Sequence, residues 1–393
     1  MLGACSDDKA PEPFNTRGDC TRDNNYEAMG TFLTNKFNIE KIKMSDSSAA
    51  IVAPLILDGL DFYLATANGT IALIEGRKAK WEVRLADSQY VVADMCADID
   101  ENVYLVTNKG TILSYDKSGK LRWKYLHQTI KDSNFIFDAL LAQKDGILVS
   151  AAPGLLFKLS LGGKKMWEFK HKHWTVRTFA ADKAGNIAFP STQNDYEKAD
   201  TLYYISSKGK VKWKKAFAKT RILKNPVIYN NLIVYPASYM LGDTRLYLLI
   251  ALAPSGKEVW RKEINIMPKF ISCGHNRIYL LAYSSGYGET MSGIYCYDMK
   301  GAMQWKLYTG NTVPAPLLIS EDNIAFFGTK RNTSGVFFLN KDGTLYHSVS
   351  LSDAPLFTHK PFVLNVPAVA FMGSEKLFII KIDDTAIDRI LPW

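Results

Sequence analysis

Two imidazoles stand at alternate positions in His171-Lys172-His173. In an extended segment alternate side chains point the same way, as two ligands of one metal ion must. The acids and thiols that would complete a four-ligand shell are sparse around them, so the pair reads as an exposed linker. The five cysteines, Cys5, Cys20, Cys96, Cys273 and Cys296, include no adjacent pair and no C-x-x-C, so neither a disulfide scaffold nor paired-thiol chemistry is expected. Asp383-Asp384 has the makings of an acid–base couple, but it stands where the other repeats have a hairpin turn, and there a solvated pair is expected. No G-x-S-x-G, H-E-x-x-H, Walker or G-x-G-x-x-G segment occurs in a credible context. The residues offer no catalytic constellation, no metal site and no cofactor cradle, and a non-enzymatic protein is expected.

Composition narrows the class of elements that must position these residues. Of 393 residues, 47% are hydrophobic and 22% charged, ordinary for a globular chain and too apolar for a disordered one. The aromatic share is high: 20 Tyr, 20 Phe and 8 Trp make 12%, a composition that favours strands. Forty-eight basic residues against 39 acidic ones leave a net charge of +9. That excess suits anionic partners or surfaces, but the two signs read as interspersed, and nucleic-acid binding is not expected. No run of 18 apolar residues occurs, so no membrane-crossing helix is expected.

Six tryptophans, Trp81, Trp123, Trp167, Trp213, Trp260 and Trp305, recur at intervals of 42, 44, 46, 47 and 45 residues. A period of that size marks a chain built from one repeated supersecondary unit. Five of them end a common phrase: GTILSYDKSGKLRW, LLFKLSLGGKKMW, TLYYISSKGKVKW, LYLLIALAPSGKEVW and GIYCYDMKGAMQW. Gly precedes Trp by four positions in each, at Gly119, Gly163, Gly209, Gly256 and Gly301. A stretched copy, GTIALIEGRKAKW, ends at Trp81, and GVFFLNKDGTLYH puts His347 in the Trp slot. A last copy, KLFIIKIDDTAID near 376–388, keeps the strand but neither Gly nor Trp. Alternating aromatic and β-branched residues make a strand, Gly supplies positive φ at a hairpin, and the next strand carries the indole. Rings of this size are expected to be mostly buried between neighbouring units, where their role is structural.

A second register runs in phase with the first. Ala53-Pro54-Leu55-Ile56, Asn225-Pro226-Val227-Ile228, Ala315-Pro316-Leu317-Leu318 and Lys360-Pro361-Phe362-Val363 are each followed by a polar turn and another strand. Each unit thus holds four strands, A to D, and four-stranded units at this period are β-propeller blades. The expected fold is all-β, a single eight-bladed β-propeller of four-stranded antiparallel blades. The blades fall near 48–86, 90–127, 134–170, 174–218, 222–265, 269–309, 312–351 and 358–393. The segment 35–44 (NKFNIEKIKM) reads as an orphan D strand that closes the ring and removes a free edge; 385–391 is the alternative closing strand. Residues 1–34 are left as a polar start and tether, and 35–393 form the propeller. Cys96 and Cys273 fall in A strands and Cys296 in a C strand, as buried small side chains. Strands A and C of one blade lie roughly 9–10 Å apart, beyond disulfide reach.

The phrase G-T-(strand)-x-x-G-K-x-x-W resembles the pyrroloquinoline-quinone-type (PQQ-type) propeller repeat, the tryptophan-docking blade of quinoprotein dehydrogenases and their non-enzymatic relatives. The resemblance covers about residues 48–390. No Trp-Asp dipeptide ends a blade and no Gly-His opens one, so the WD40 pattern fits less well. Within that superfamily the chain is similar to the BamB-type lipoproteins, eight-bladed and lipid-anchored assembly factors of the bacterial outer membrane that hold no cofactor. Met1-Leu2-Gly3-Ala4-Cys5 resembles a lipobox, and residues 6–13 resemble the polar tether that follows one, although the basic and apolar stretch that should precede a lipobox is missing. The resemblance implies lipidation at Cys5, a periplasm-facing place in the bacterial cell envelope, at the outer membrane rather than the inner, and protein partners there. It implies membrane contact through the lipid only, and no cofactor. Two alternatives stay open: a PQQ- and Ca²⁺-dependent oxidoreductase, and a propeller that senses a small ligand or glycan in an apolar, Trp-lined central pocket.

In a propeller the A–B and C–D turns leave one face of the ring and the B–C and D–A connections leave the other. The C–D turns are basic, from Lys78 and Lys80 through Lys117, Lys120, Lys164, Lys165, Lys208 and Lys210 to Lys257, Lys300 and Lys341, and an outer basic rim is expected. B–C loops are minimal in blades 1 to 3 and 8 (ANG, NKG, APG, GSE) and lengthen in four consecutive blades, at 190–200, 236–245, 284–292 and 329–335. They carry Tyr196, Tyr239, Met240, Tyr287, Met291 and Arg331, residue types that anchor protein partners. This half-face is the expected partner-binding surface.

Overall fold

The computed structural model describes strands Phe14–Asn15 and Phe37–Ile42, most of residues 52–350, and three strands between 362 and 382. Within 52–350 the stretches 53–54, 58–60, 76–77, 87, 129–135, 153, 171–173, 176–178, 193–199, 217–219, 224, 243, 287–288, 313–316, 320–322 and 331–332 lie outside the described residues. Every described element is a strand or a turn, apart from a single helical-turn residue at Gln128.

The strands form successive antiparallel sheets of four strands, read from A to D in chain order except in the last, whose fourth strand comes from the start of the chain. Numbered along the chain, they span 55–84, 96–126, 136–170, 180–216, 227–264, 267–312, 318–350 and 362–382. The sixth and seventh are joined where Asn311 and Thr312 pair with Thr329 and Gly328. The burial of each strand follows its place. Central strands such as Phe62–Ala65 and Leu155–Leu159 are buried at every residue, because a strand with a sheet packed on both faces must be apolar on both. The D strands, such as Leu121–Leu126 and Val211–Ala216, alternate exposed with half-buried residues.

The core is distributed between sheets. One apolar cluster joins the first sheet to the second through Tyr63, Leu73 and Leu105, and the next joins the second to the third through Tyr104, Phe157 and Leu140. Further clusters join the third to the fourth, the fourth to the fifth, the fifth to the sixth and the sixth to the seventh. The second to sixth sheets are therefore each stabilised by two neighbours, as stacked repeats are.

The repeat residues build these junctions. Each indole N–H donates to a backbone carbonyl in the C–D turn of the next sheet: Trp81 to Lys117, Trp123 to Leu161, Trp167 to Ser207, Trp213 to Pro254, Trp260 to Met299 and Trp305 to Lys341, at 2.8–2.9 Å. The ring then lies across the turn glycine two residues further on. Gly163 has φ +82°, and a Cβ built on it would lie 2.6 Å from Trp123 Cδ2; Gly209 and Gly343 meet Trp167 and Trp305 in the same way. Positive φ and the close ring both demand glycine at that position. All six rings are mostly buried, packed against the cores between sheets, and each keeps part of its surface in solvent because the D strand is outermost.

Residues 37–42 take the D position of the last sheet. Phe37–Ile42 pairs antiparallel with Leu377–Ile382, from Phe37 opposite Ile382 to Ile42 opposite Leu377; the alternative closing strand at 385–391 and the Asp383-Asp384 turn lie outside the described residues. The polar start is not wholly a tether. Phe14–Asn15 pairs with Cys96–Ala97, where the short A strand of the second sheet leaves its inner edge open to a passing segment.

Candidate protein-interaction surface

The A–B turns hold titratable clusters, and their geometry is structural. The carboxylate of Asp98 accepts the backbone N–H groups of Asp100 and Asn102 and the Tyr104 hydroxyl. Asp182 repeats this with Ala184, Asn186 and Tyr204. In the third sheet the buried Lys158 ammonium takes over, donating to Gln143 and Asp145. Burial and the Asp98 carboxylate hold the Tyr104 hydroxyl far above its usual range. Cys96, Cys273 and Cys296 are free and buried, and burial pushes the Cys296 thiol up to about 12, which leaves it protonated and inert at neutral pH. Among the described residues no group of three or more His, Cys, Asp and Glu is arranged to hold a metal ion. His171 and His173 lie outside the described residues.

The opposite end of the sheets is different. The B and C strands are four and six residues long in the first sheet and four and five in the second. They grow to ten and nine in the fifth sheet (Leu232–Leu241, Thr244–Leu252), ten and ten in the sixth (Arg277–Gly286, Glu289–Asp298) and eight and eight in the seventh (Asn323–Lys330, Thr333–Asn340). The segments 236–245, 284–292 and 329–335 are thus not loops. They are the ends of long paired strands, whose last pairs are Leu241 with Thr244, Gly286 with Glu289 and Lys330 with Thr333. In the fifth sheet Leu241 pairs with Thr244 across Gly242-Asp243, and Gly242 at φ +59° supplies the left-handed residue that tight hairpins need at the first turn position. In the fourth sheet the strands remain short and 193–199 lies outside the described residues.

The incoming chain braces these hairpins along the B strand. Thr220–Ile222 pairs with Ala237–Tyr239, Met267 and Pro268 with Tyr283 and Ala282, and Asn311–Thr312 with Gly328–Thr329. Asp200, fully buried, fixes the first of these braces. Its carboxylate accepts the Ile222 N–H at 2.8 Å and faces Arg221 Nε at 3.4 Å.

Of the residues singled out by type, Tyr239 is half-buried against the core between the fourth and fifth sheets. Met240 is 40% exposed, opposite Arg245, and Met291 stands opposite Ser284 in the sixth hairpin. Tyr196, Tyr287, Arg331 and Cys5 lie outside the described residues. The residue that reading by type passed over is Leu241. At 59% it is the most exposed large apolar side chain among the described residues, and only recognition of Gly242-Asp243 as a hairpin turn would have placed it at a tip. The basic rim is partly neutralised, since Lys80 pairs with Glu75, Lys117 with Glu101 and Lys165 with Glu168.

Comparison with known proteins addresses the fold. The lambda-carrageenase β-propeller domain family matches residues 104–227, from the second sheet into the fifth. No curated protein matches the chain. Among solved structures, BamB from Moraxella catarrhalis is similar with a TM-score of 0.61 at 12% identity, covering 87% of this chain and 98% of that one. Sqt1 from Saccharomyces cerevisiae is similar with a TM-score of 0.55 at 11% identity, covering 89% and 99%. These likenesses, with the stacked four-stranded sheets, identify the chain as a β-propeller.

Proposed function

We propose that this protein is a non-enzymatic scaffold, an eight-bladed propeller that captures a protein partner with the elongated hairpins of its fifth, sixth and seventh blades. The observation that carries this is the growth of the B and C strands in three consecutive sheets, with Met240 and Leu241 exposed near a tip. Solubility does not require tips of this kind. Exposed apolar side chains on braced, rigid hairpins are what a binding surface presents. The finer reading follows the repeat resemblance: a PQQ-type propeller without cofactor, tethered by lipid at Cys5 on the periplasmic side of a bacterial outer membrane, where it serves assembly of envelope proteins.

Two experiments test the parts separately. A photo-crosslinking amino acid placed at Leu241 in living cells is expected to give one discrete protein adduct, and the same group at Lys78, on the opposite face, none. Adducts of equal yield from both positions would move the surface elsewhere. Metabolic labelling with a fatty acid is expected to mark the full-length protein and to be lost on Cys5→Ser; label that persists in the variant sinks the anchor.

A further inference from the structure

Residues 201–242 contain eight lysines and arginines and no aspartate or glutamate. Of the chain's net charge of +9 this stretch carries +8, leaving +1 for all the rest. The accessible part lies on the outer strand of the fourth sheet and the turn before it, where Lys208, Lys210, Lys212 and Lys214 are exposed. Among the described residues none of the four is in an ion pair. Lys212 only rests its ammonium 5.3 Å over the Tyr204 ring and 3.4 Å from Asn186 Oδ1. The flanking outer strands hold acids among their bases, and only the fifth sheet's is balanced. Glu168 binds Lys165 and Lys170 on one side, and Glu258 binds Arg261 on the other.

Lysines on an edge strand ordinarily guard against edge-to-edge pairing. Two of the other outer strands show how little charge that takes. Leu345–Ser350 carries no Lys, Arg, Asp or Glu, and Glu258–Ile264 carries two acids and two bases. Lys212 and Lys214 stand two residues apart on the strand, roughly 6.6 Å, and Lys208 and Lys210 lie in the turn that leads into it. Like charges so spaced repel and are destabilising until something anionic lies across them. The register shift at Tyr204/Ile205, opposite Trp213 and Val211, bulges the strand and blunts its backbone edge. A partner therefore meets the ammonium groups and not a free ladder of amides.

We propose that this lysine strip docks an extended acidic segment of a partner protein. The proposal rests on the scaffold reading and adds a second surface, on the outer wall, with a stated partner chemistry. The strip is one strand wide. A lipid surface would also engage the neighbouring strands, where acids stand among the bases, and a single-stranded nucleic acid would look for free aromatic faces, whereas the Trp213 ring is covered by Tyr204 and Gly256.

The test uses the full chain and a fluorescent peptide of five Glu-Val repeats, read by anisotropy at low salt. Binding is expected to weaken about tenfold or more in Lys210→Glu/Lys212→Glu/Lys214→Glu, since each reversal removes an attraction and adds a repulsion. It should change less than about twofold in Lys78→Glu/Lys257→Glu/Lys300→Glu, which alters net charge equally at other exposed lysines. Circular dichroism confirms that both variants fold. No binding, equal loss in both variants, or tighter binding of phosphatidylserine vesicles or oligo-dT through the same lysines overturns the proposal. The crosslink at Leu241 reports the hairpin surface independently, so either surface can fail alone.

Discussion

At the scale of single residues the junctions are defined by two constraints that meet at one point. The turn glycine needs a positive φ, and the indole from the preceding sheet occupies the space where a Cβ would go. Trp123→Ala is expected to cost about 3 kcal/mol in urea unfolding, the low end of the range for large aromatic truncations, because the ring keeps part of its surface in solvent. Gly163→Ala is expected to be comparably destabilising. In the Trp123→Ala background it should cost less, since the clash is gone and only the backbone strain of roughly 1–2 kcal/mol remains; additive losses would show that ring and turn are independent. The same logic accounts for the exceptional seventh sheet. His347 replaces Trp, and the next repeat has Asp383-Asp384 where a turn glycine would have received the ring, so indole and receptor are lost together. A second test concerns His127, which is buried beside Phe157 and within 3.2 Å of Glu168. Burial holds its imidazole below the ordinary 6.5 despite the carboxylate, so the unfolded chain binds the proton more readily. That contribution to stability is complete above pH 6.5 and declines as pH falls below it. His127→Gln is expected to flatten the stability profile just below pH 6.5; an unchanged slope would assign the dependence to another group.

At the scale of elements the long hairpins are expected to be separable from the fold. Deleting Met240-Leu241 together with Thr244-Arg245 removes two cross-strand pairs at the tip and leaves Tyr239 opposite Leu246 around the same Gly242-Asp243 turn. The melting temperature should stay within about 2 °C, because exposed substitutions away from special features are worth under about 0.5 kcal/mol, while the Leu241-region crosslink disappears. A large fall in stability would make the tip a structural part. These hairpins also mark where the sequence stops being legible. The repeat period, the turn glycines and the closing role of 35–44 were readable because each is a local signal tied to a fixed spacing. The hairpin ends were not. Pro236 and Gly242 carry the chemistry of a loop, yet Pro236 lies in the B strand opposite Leu249, and its carbonyl accepts the Leu223 N–H. The lysine strip was hidden differently. Total charge is ordinary, and only the absence of acids between Asp200 and Asp243 shows that the excess is gathered in one stretch of the chain.

At the scale of the whole molecule the seam between Phe37–Ile42 and Leu377–Ile382 joins the two ends of the chain. Removing residues 1–44 uncovers LFIIKI, an apolar strand with an open edge, and such edges pair with one another. The truncated protein is expected to associate in sedimentation experiments where the intact chain stays monomeric, and monomeric behaviour of both would show that the edge is covered by something else. The register of this seam also sets how the molecule answers to force. The N-terminal segment leaves at Phe37 and the C-terminal segment at Ile382, and these two residues face each other. Tension applied across the termini therefore loads one pair at a time and peels the strand like a zipper, rather than shearing all six pairs at once. A chain held in optical tweezers by its two ends should first release the two-residue pairing at Phe14–Asn15 and then open at this seam, in small steps at low force, and should reclose when the tension is released.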